Sequence, residues 1–528
     1  MPESFEDQRV TVMGLGRFGG GVGVTRFLCH RGAQVLVTDQ SPPEKLAESV
    51  AKLQPLIDSG QVTLRLGEHN VSDFTTCDLV VVNPAVPPGN RFLRAAEAAG
   101  IPITTEIRLL VERLPNRLRT IGVTGSAGKS TVTAMIGHVL EKVFSGKGGG
   151  DFGGEPTPSR QDAKTPREAS EKKRVWVGGN IGGSLLEQVD AIGPEDWVVL
   201  ELSSFMLERL RDQPDAPGYA EGKFRGWSPH IAVVTNISEN HLDWHGSMAE
   251  YANAKRIIFA YQESGDEAIV GEHVAEHIVE FNDIFDLLDS WVHVANASIV
   301  YLVDPDGMDT DFYIQCSLPG THNLLNAKFA ASVCVSALIR PNEAGEYVDS
   351  ELNDEVDKQI HEVLADFPGL PHRLQFVGTF DGVKYYNDSK CTTPGAARLA
   401  VEAFRDGAAP KTVSDTVSEK TVSDTVFGVH LIVGGYDKGS DLAPLAGFAR
   451  SACKAIYTIG DTGEGVALAA EAASRRGGSG GSGGGGSGGR GGGSAVWDAG
   501  ARGRGDPGAG GGGRCRAAFA GVCIVGPV

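Results

Sequence analysis

Leu118-Arg119-Thr120-Ile121-Gly122-Val123-Thr124-Gly125-Ser126-Ala127-Gly128-Lys129-Ser130-Thr131 is the stretch whose reading decides the fold. An apolar run with strand character ends in a Gly-rich turn, and the turn opens into a segment of helical apolar periodicity reaching Leu140. Backbone N–H groups at such a junction point at an anion, and the helix N-terminus favours negative charge. Lys129 adds a cation for phosphate and Ser130 a hydroxyl within reach of Mg²⁺, so Gly125, Ser126, Ala127, Gly128, Lys129, Ser130 and Thr131 are read as an ATP-phosphate loop. Position 123 is valine, so the strict G-x-x-x-x-G-K-S spacing is not met.

Outward toward the N-terminus, Arg9–Met13 reads as a buried strand, followed by a Gly turn, a helix through Phe27-Leu28 and a second strand at 35–37 ending at Asp39. The turn Gly14-Leu15-Gly16-Arg17-Phe18-Gly19 fits G-x-G-x-x-G, with Asp39 twenty residues beyond its last glycine. That arrangement suits a pyrophosphate at a helix N-terminus and a ribose or uracil at the carboxylate. Alone it leaves a dinucleotide, another nucleotide such as UDP, or a plain tight turn all open.

Toward the C-terminus, strands are expected at 197–202, 231–235, 383–386 and 429–433. Strands alternating with helices predict an α/β protein built of parallel, doubly wound sheets. At roughly 150 residues per domain, 528 residues predict three domains. Residues 1–112 would carry the first nucleotide site, 113–368 the phosphate loop and 369–474 a third unit, with insertions at 145–174 and 411–426. The second insertion repeats KTVSDTV nine residues apart. The tail 475–528 is dominated by Gly, Ser and Arg through residue 513 and is expected to remain without ordered structure.

Composition excludes several function classes. A net charge of −19 opposes nucleic-acid binding, which needs a basic face. No apolar stretch is long enough to span a bilayer, and the N-terminus lacks the basic-then-apolar order of a secretory signal. A soluble cytoplasmic protein with no membrane partner is expected. The eight cysteines show no C-x-x-C pair and no zinc spacing, so reduced structural thiols are expected.

The T-G-S-x-G-K-S-T loop is similar to that of the Mur ligases and the folylpolyglutamate synthetases. Further segments agree in order and spacing. Gly179-Asn180-Ile181-Gly182 resembles the family's G-N-I-G, Glu201-Leu202-Ser203-Ser204-Phe205 its E-L-S-S-F, and Thr235-Asn236 through His241-Leu242-Asp243 its T-N-x-x-x-x-H-x-D. Lys255, Gly320-Thr321-His322-Asn323, Pro371-His372-Arg373, Asn387-Asp388-Ser389-Lys390 and Gly434-Gly435-Tyr436-Asp437-Lys438 complete the set, over about residues 8–470. Ala127, Met206 and Cys391 depart from the family pattern.

The resemblance implies an ATP-dependent ligase forming an amide bond between UDP-N-acetylmuramoyl-L-alanine and D-glutamate, through an acyl-phosphate, in peptidoglycan precursor synthesis. It implies that Gly14, Gly16, Arg17, Phe18, Gly19, Asp39, Asn180 and Ser203 bind the UDP substrate, and that Asn323, Arg373 and Asp388 join the phosphate loop at ATP. Lys390, Thr392 and Lys438 would hold D-glutamate. Ser130 and Glu201 would hold one Mg²⁺, and His241 with Lys255 as a CO₂-derived carbamate a second, making Lys129, His241 and Lys255 the catalytic residues. By itself Lys255 reads as a solvated lysine on an amphipathic helix, and His241 as a structural histidine. A monomer is expected. Another amino-acid ligase of the same group, an NAD-dependent oxidoreductase and a nucleotide-binding relative without catalysis are the alternatives.

One feature of the family is absent: its closing segment, V-V-L-L-S-P-x-C-A-S-x-D-Q-F. Cys515–Val528 admit a coding sequence whose next reading frame gives V-V-L-L-S-P-G-C-A-S-W-D-Q. The tail is therefore expected to be a frame-shifted reading of that end, leaving the third domain without its final strand.

Overall fold

The computed structural model describes residues 4–16, 19–145, 173–212, 226–271, 299–303, 316–339, 350–380, 383–391, 393–405, 428–435, 441–476, 495–498 and 521–527. The chain divides into two compact units, Met1–Phe312 with Lys328–Val363, and Tyr313–Ala327 with Leu364–Val528.

The first unit holds two parallel sheets. In one, β1 (Arg9–Met13), β2 (Gln34–Asp39), β3 (Val62–Leu66), β4 (Leu79–Val82) and β5 (Ile103–Thr104) lie in the order β3-β2-β1-β4-β5. In the other, β6 (Thr120–Thr124), β7 (Val175–Gly179), β8 (Trp197–Glu201), β9 (Ile231–Val234), β10 (Glu267–Gly271) and β11 (Ile299–Val303) take the order β11-β10-β9-β6-β8-β7. β4, β6, β8 and β9 are buried at every position. Strands covered on both faces require apolar side chains on both, which is why they read as continuous apolar runs. In each sheet the strand before a Gly turn, β1 or β6, has neighbours added on both sides, so successive crossovers leave in opposite directions. A crevice opens at that switch point beyond the carboxyl end of the strand.

One apolar cluster runs through both sheets, from Val10, Val12 and Val35 to Val198, Leu200, Val234 and Ile258. The helix Gly20–His30 packs against the 3-10 turn Leu186–Ala191, and Arg31 Nη2 donates to Asp190 Oδ1 at 2.6 Å. The first crevice is thereby set beside the second sheet.

The second unit contains β12 (Gln375–Phe380), β13 (Val383–Asp388), β14 (His430–Gly434), β15 (Ala455–Ile459), β16 (Ala495–Asp498) and β17 (Gly521–Pro527), in the order β12-β13-β17-β14-β15-β16. The strands expected at 9–13, 35–37, 197–202, 231–235, 383–386 and 429–433 coincide with β1, β2, β8, β9, β13 and β14. Two expectations are corrected here. This sheet is mixed rather than parallel, because β12 pairs antiparallel with β13, and β17 antiparallel with both β13 and β14. The tail also supplies ordered elements: the helix Gly463–Arg476 runs into it, and β16 and β17 lie within it. The physical reason is the row of backbone donors and acceptors that β13 and β14 present to each other's side, which an extended segment must satisfy. Val522-Cys523-Ile524-Val525 has the β-branched composition to do so. Residues 146–172 and 411–426, which make up nearly all of the two expected insertions, lie outside the described residues.

Among the described residues no helix is long and apolar enough to cross a membrane. Cys29, Cys77, Cys316, Cys334, Cys391 and Cys453 are free thiols. Burial pushes the Cys29 thiol up to about 11, which keeps it protonated and unreactive.

Candidate functional site

The Gly turn after β1 is shaped by close packing. A Cβ built on Gly21 would lie 2.2 Å from the Leu15 carbonyl oxygen, so this glycine, outside the G-x-G-x-x-G count, lets the helix start against the turn. Gly14, Gly16 and Gly19 have φ of 95°, 64° and 92°. Asp39 is nearly buried and already engaged, since Gly16 N–H donates to Oδ2 at 3.1 Å and Ser41 N–H to Oδ1 at 2.7 Å. In this structure it orders the turn, and each oxygen keeps a second lone pair for a ligand. Arg17 and Phe18 lie outside the described residues.

Beyond β1 and β4 is a cavity of about 310 Å³, lined on one side by Gly14, Gly20 and Asn83 and on the other by Asn180, Ser203 and Phe205. Residues assigned to the UDP substrate from two distant sequence segments thus meet around one space. Glu106 also lines it, accepting a hydrogen bond from Ser184 Oγ, and burial raises its carboxyl pKa. Neither Glu106 nor Ser184 carries a motif that would have marked it in the sequence.

The second crevice follows β6. A Cβ on Gly125 would sit 2.0 Å from Thr235 Oγ1, and φ there is 147°, so the loop can pass this close to the end of β9 only as glycine. The segment after β9 latches the loop: Ala127 N–H donates to Asn236 Oδ1 at 2.9 Å, Ser126 N–H to Asn236 O at 2.9 Å, and Thr235 Oγ1 to Ala127 O at 2.7 Å. This explains why Thr235-Asn236 accompanies the loop. Lys129, first residue of the helix Lys129–Ser145, folds back so that Nζ donates to Gly125 O at 2.7 Å and Ser126 O at 3.1 Å.

Lys255, in the helix Met248–Ala260, is 1 % exposed, so the solvated-lysine reading fails. Its Nζ donates to Gly125 O at 2.8 Å and to Thr124 Oγ1 at 3.3 Å, and lies 4.7 Å from the centre of the Tyr251 ring. Burial, then the charge of Lys129, hold its pKa well below the ordinary lysine value against the opposing pull of Glu201. Glu201, at the end of β8, is likewise 1 % exposed. Its Oε1 accepts from Asn180 Nδ2 at 2.8 Å, while Oε2 is buried with no hydrogen-bond partner. A buried carboxylate oxygen in that condition, beside a phosphate loop, fits a hard cation such as Mg²⁺.

His241 adopts φ 55°, a strained conformation for a non-glycine residue, at the start of the short helix Leu242–His245. Its ring lies 4.8 Å from that of Phe205. The neighbouring His245 stacks on Phe205, and its Nε2 lies 2.9 Å from Ser204 Oγ. Burial lowers the His245 pKa to about 4, so it is neutral near pH 7.

The second unit gathers another group of sequence-predicted residues. Lys390 N–H donates to His372 O at 3.1 Å and Leu374 N–H to Asp388 Oδ1 at 3.2 Å, so the Pro371–Arg373 loop and the Asn387–Lys390 turn form one structure. Asn323 is buried, with Nδ2 donating to Pro319 O at 2.7 Å. Thr392 and Lys438 lie outside the described residues. Burial raises the Asp388 carboxyl to about 6 from an ordinary 3.8, against the nearby Arg373 charge. The folded state therefore holds a proton over this interval that the unfolded state releases, and stability falls as pH rises through it. Asp388→Asn is expected to remove that slope, worth roughly 3 kcal/mol at neutral pH. Melting temperatures of both proteins at intervals from pH 4 to 7 check this, and parallel curves would refute it.

Residues 195–334 match the Mur ligase middle domain and residues 8–105 the Mur ligase MurD-like, N-terminal domain. The chain is 32% identical to a UDP-N-acetylmuramoylalanine--D-glutamate ligase of Acidobacterium capsulatum, over 87% of this chain and 83% of that protein. It is 30% identical to the ligase of the same name from Koribacter versatilis, over 86% and 83%. A solved MurF ligase from Thermotoga maritima, in complex with ADP, superposes with a TM-score of 0.43 at 14% identity, covering 94% of this chain and 91% of that one. With sequence identity of this extent over most of both chains, and with matches in the N-terminal and middle domains, the chain belongs to the Mur ligase family.

Proposed function

We propose that this chain is a cytoplasmic, monomeric, ATP-dependent ligase that joins D-glutamate to UDP-N-acetylmuramoyl-L-alanine in peptidoglycan precursor synthesis. The observation that carries the chemistry is the convergence of Lys129, Lys255 and Glu201 on one phosphate loop. A carboxylate resists attack by an amine until one oxygen becomes a leaving group. Transfer of the γ-phosphoryl group of ATP to the alanyl carboxylate supplies that leaving group as phosphate. Lys129 neutralises the phosphoryl oxygens as charge moves onto them. Ser130 and Glu201, and separately His241 with Lys255, would hold Mg²⁺, which would supply neutralisation of the phosphate charge.

An ammonium cannot be a metal ligand, but burial and the charge of Lys129 lower the Lys255 pKa and so favour the neutral amine, which can attack CO₂. Its lone pair forms the N–C bond, a proton leaves, and a carbamate presenting two hard oxygens results. The uridine diphosphate end of the substrate would occupy the cavity bounded by Gly14, Asn180 and Ser203. Arg373 and Asp388 would meet ATP together with Asn323, and Lys390, Thr392 and Lys438 the two carboxylates of D-glutamate. Phosphate release that requires both acceptor substrates tests the reading.

The frame-shift reading extends this proposal to the tail. It rests on the sequence alone, in which Cys515–Val528 admit a coding sequence whose next frame gives the family's closing segment. Sequencing codons 475–528 is expected to give V-V-L-L-S-P-G-C-A-S-W-D-Q in the next frame. Codons that do not yield it refute the idea.

A further inference from the structure

The cavity beyond β1 has walls from two sheets, and one side chain outside the cavity joins them. Trp244 Nε1 donates to the Ala85 carbonyl oxygen at 2.8 Å, across a sequence separation of 159 residues. Ala85 belongs to the loop after β4, and its indole partner belongs to the helix Leu242–His245, which His241 precedes. The same indole packs on Phe205, with ring centroids 5.0 Å apart, and on His245 at 4.5 Å. Ala85 and Phe205 both line the cavity.

The loop is held a second time one residue on, where Arg209 Nη2 donates to Val86 O at 2.7 Å. Arg209 is 7 % exposed and sits on the helix Ser204–Arg209 that also carries Phe205. On its other side the loop bears on the Gly turn: a Cβ added to Gly14 would come within 3.0 Å of Asn83 Cβ, and Asn83 N–H donates to Met13 O at 2.9 Å. A continuous set of contacts thus runs from the Gly turn, through Asn83 to Val86, to the indole and onward to Phe205 and the helix Leu242–His245. Displacement of the loop would widen the cavity and shift the Gly turn together.

We propose that Trp244 is a positioning residue for the nucleotide-sugar substrate: its indole N–H fixes the Asn83–Val86 loop and so the width of the cavity, while its ring holds Phe205 and His245. The inference rests on the ligase reading for the identity of that substrate. The two functions of the side chain separate chemically, because Trp244→Phe keeps an aromatic ring and removes the N–H, whereas Trp244→Ala removes both.

Steady-state kinetics and melting temperatures of the full-length wild type and both variants form the test, with UDP-N-acetylmuramoyl-L-alanine, ATP and D-glutamate. Trp244→Phe is expected to raise KM for the UDP substrate about two- to ten-fold, the range for one lost neutral hydrogen bond. Its kcat, KM for ATP and melting temperature should stay at wild-type values. Trp244→Ala is expected to raise the same KM and also lower kcat, because Phe205, against which the His241 ring lies, loses the indole packed on it. An unchanged KM in Trp244→Phe overturns the proposal, as does a rise in every KM accompanied by a fall in melting temperature. If the wild type itself does not turn over, either the frame-shifted tail or a failure of the ligase reading accounts for it, independently of Trp244. The proposal is then decided by calorimetric Kd for UDP-N-acetylmuramoyl-L-alanine, with weaker binding by Trp244→Phe upholding it and equal binding overturning it.

Discussion

Lys255→Ala is expected to be inactive, with kcat reduced on the order of 10³, and to recover part of its rate in the presence of formate or acetate. The side chain is 1 % exposed and hydrogen-bonded to the carbonyl of the first phosphate-loop glycine. Its amine is deprotonated well below the ordinary range by burial and by Lys129. A buried lysine that served only packing would tolerate alanine in the chemical step, and no added anion would restore anything. A small carboxylate fits the vacated volume and offers the two hard oxygens that the carbamate would present. Single-turnover phosphate release with and without the additive decides it, and full activity of the unrescued variant would exclude the carbamate.

Lys129→Ala is expected to lose 10²–10³ in the rate of ATP-dependent phosphate release, about the cost of one electrostatic contact to the transferred group. Binding of the UDP substrate should persist, because the cavity beyond β1 is built by other residues. In the structure Lys129 Nζ bonds to two carbonyls of its own loop, so the ammonium is held over the place where phosphate oxygens would replace them. Calorimetry with the UDP substrate, beside a phosphate-release assay, separates the two effects. Near-wild-type release would remove the loop from the ATP site.

Much of this site was legible because its parts are local. The phosphate loop, Glu201 at a strand end and Asn180 after β7 each stand at the junction of an apolar run with a turn, and periodicity locates such junctions. Lys255 shows the limit: on its helix it has the pattern of a surface lysine, and only tertiary packing buries it. Contacts between sheets were invisible for the same reason. Trp244 to Ala85 and Ser184 to Glu106 join segments 159 and 78 residues apart, with no local signature on either side. Asp39 was read as a ligand acceptor, yet it first satisfies the N–H groups of Gly16 and Ser41. The mixed third sheet escaped prediction because strand direction is set by which neighbour offers free backbone groups, and composition does not record that.

The most direct measurement is phosphate release from ATP by the purified chain with UDP-N-acetylmuramoyl-L-alanine and D-glutamate, added separately and together. Release that requires both, with one D-glutamyl amide formed per phosphate, is the expected result. Release independent of either acceptor, or amide formation without ATP, would contradict an acyl-phosphate ligase.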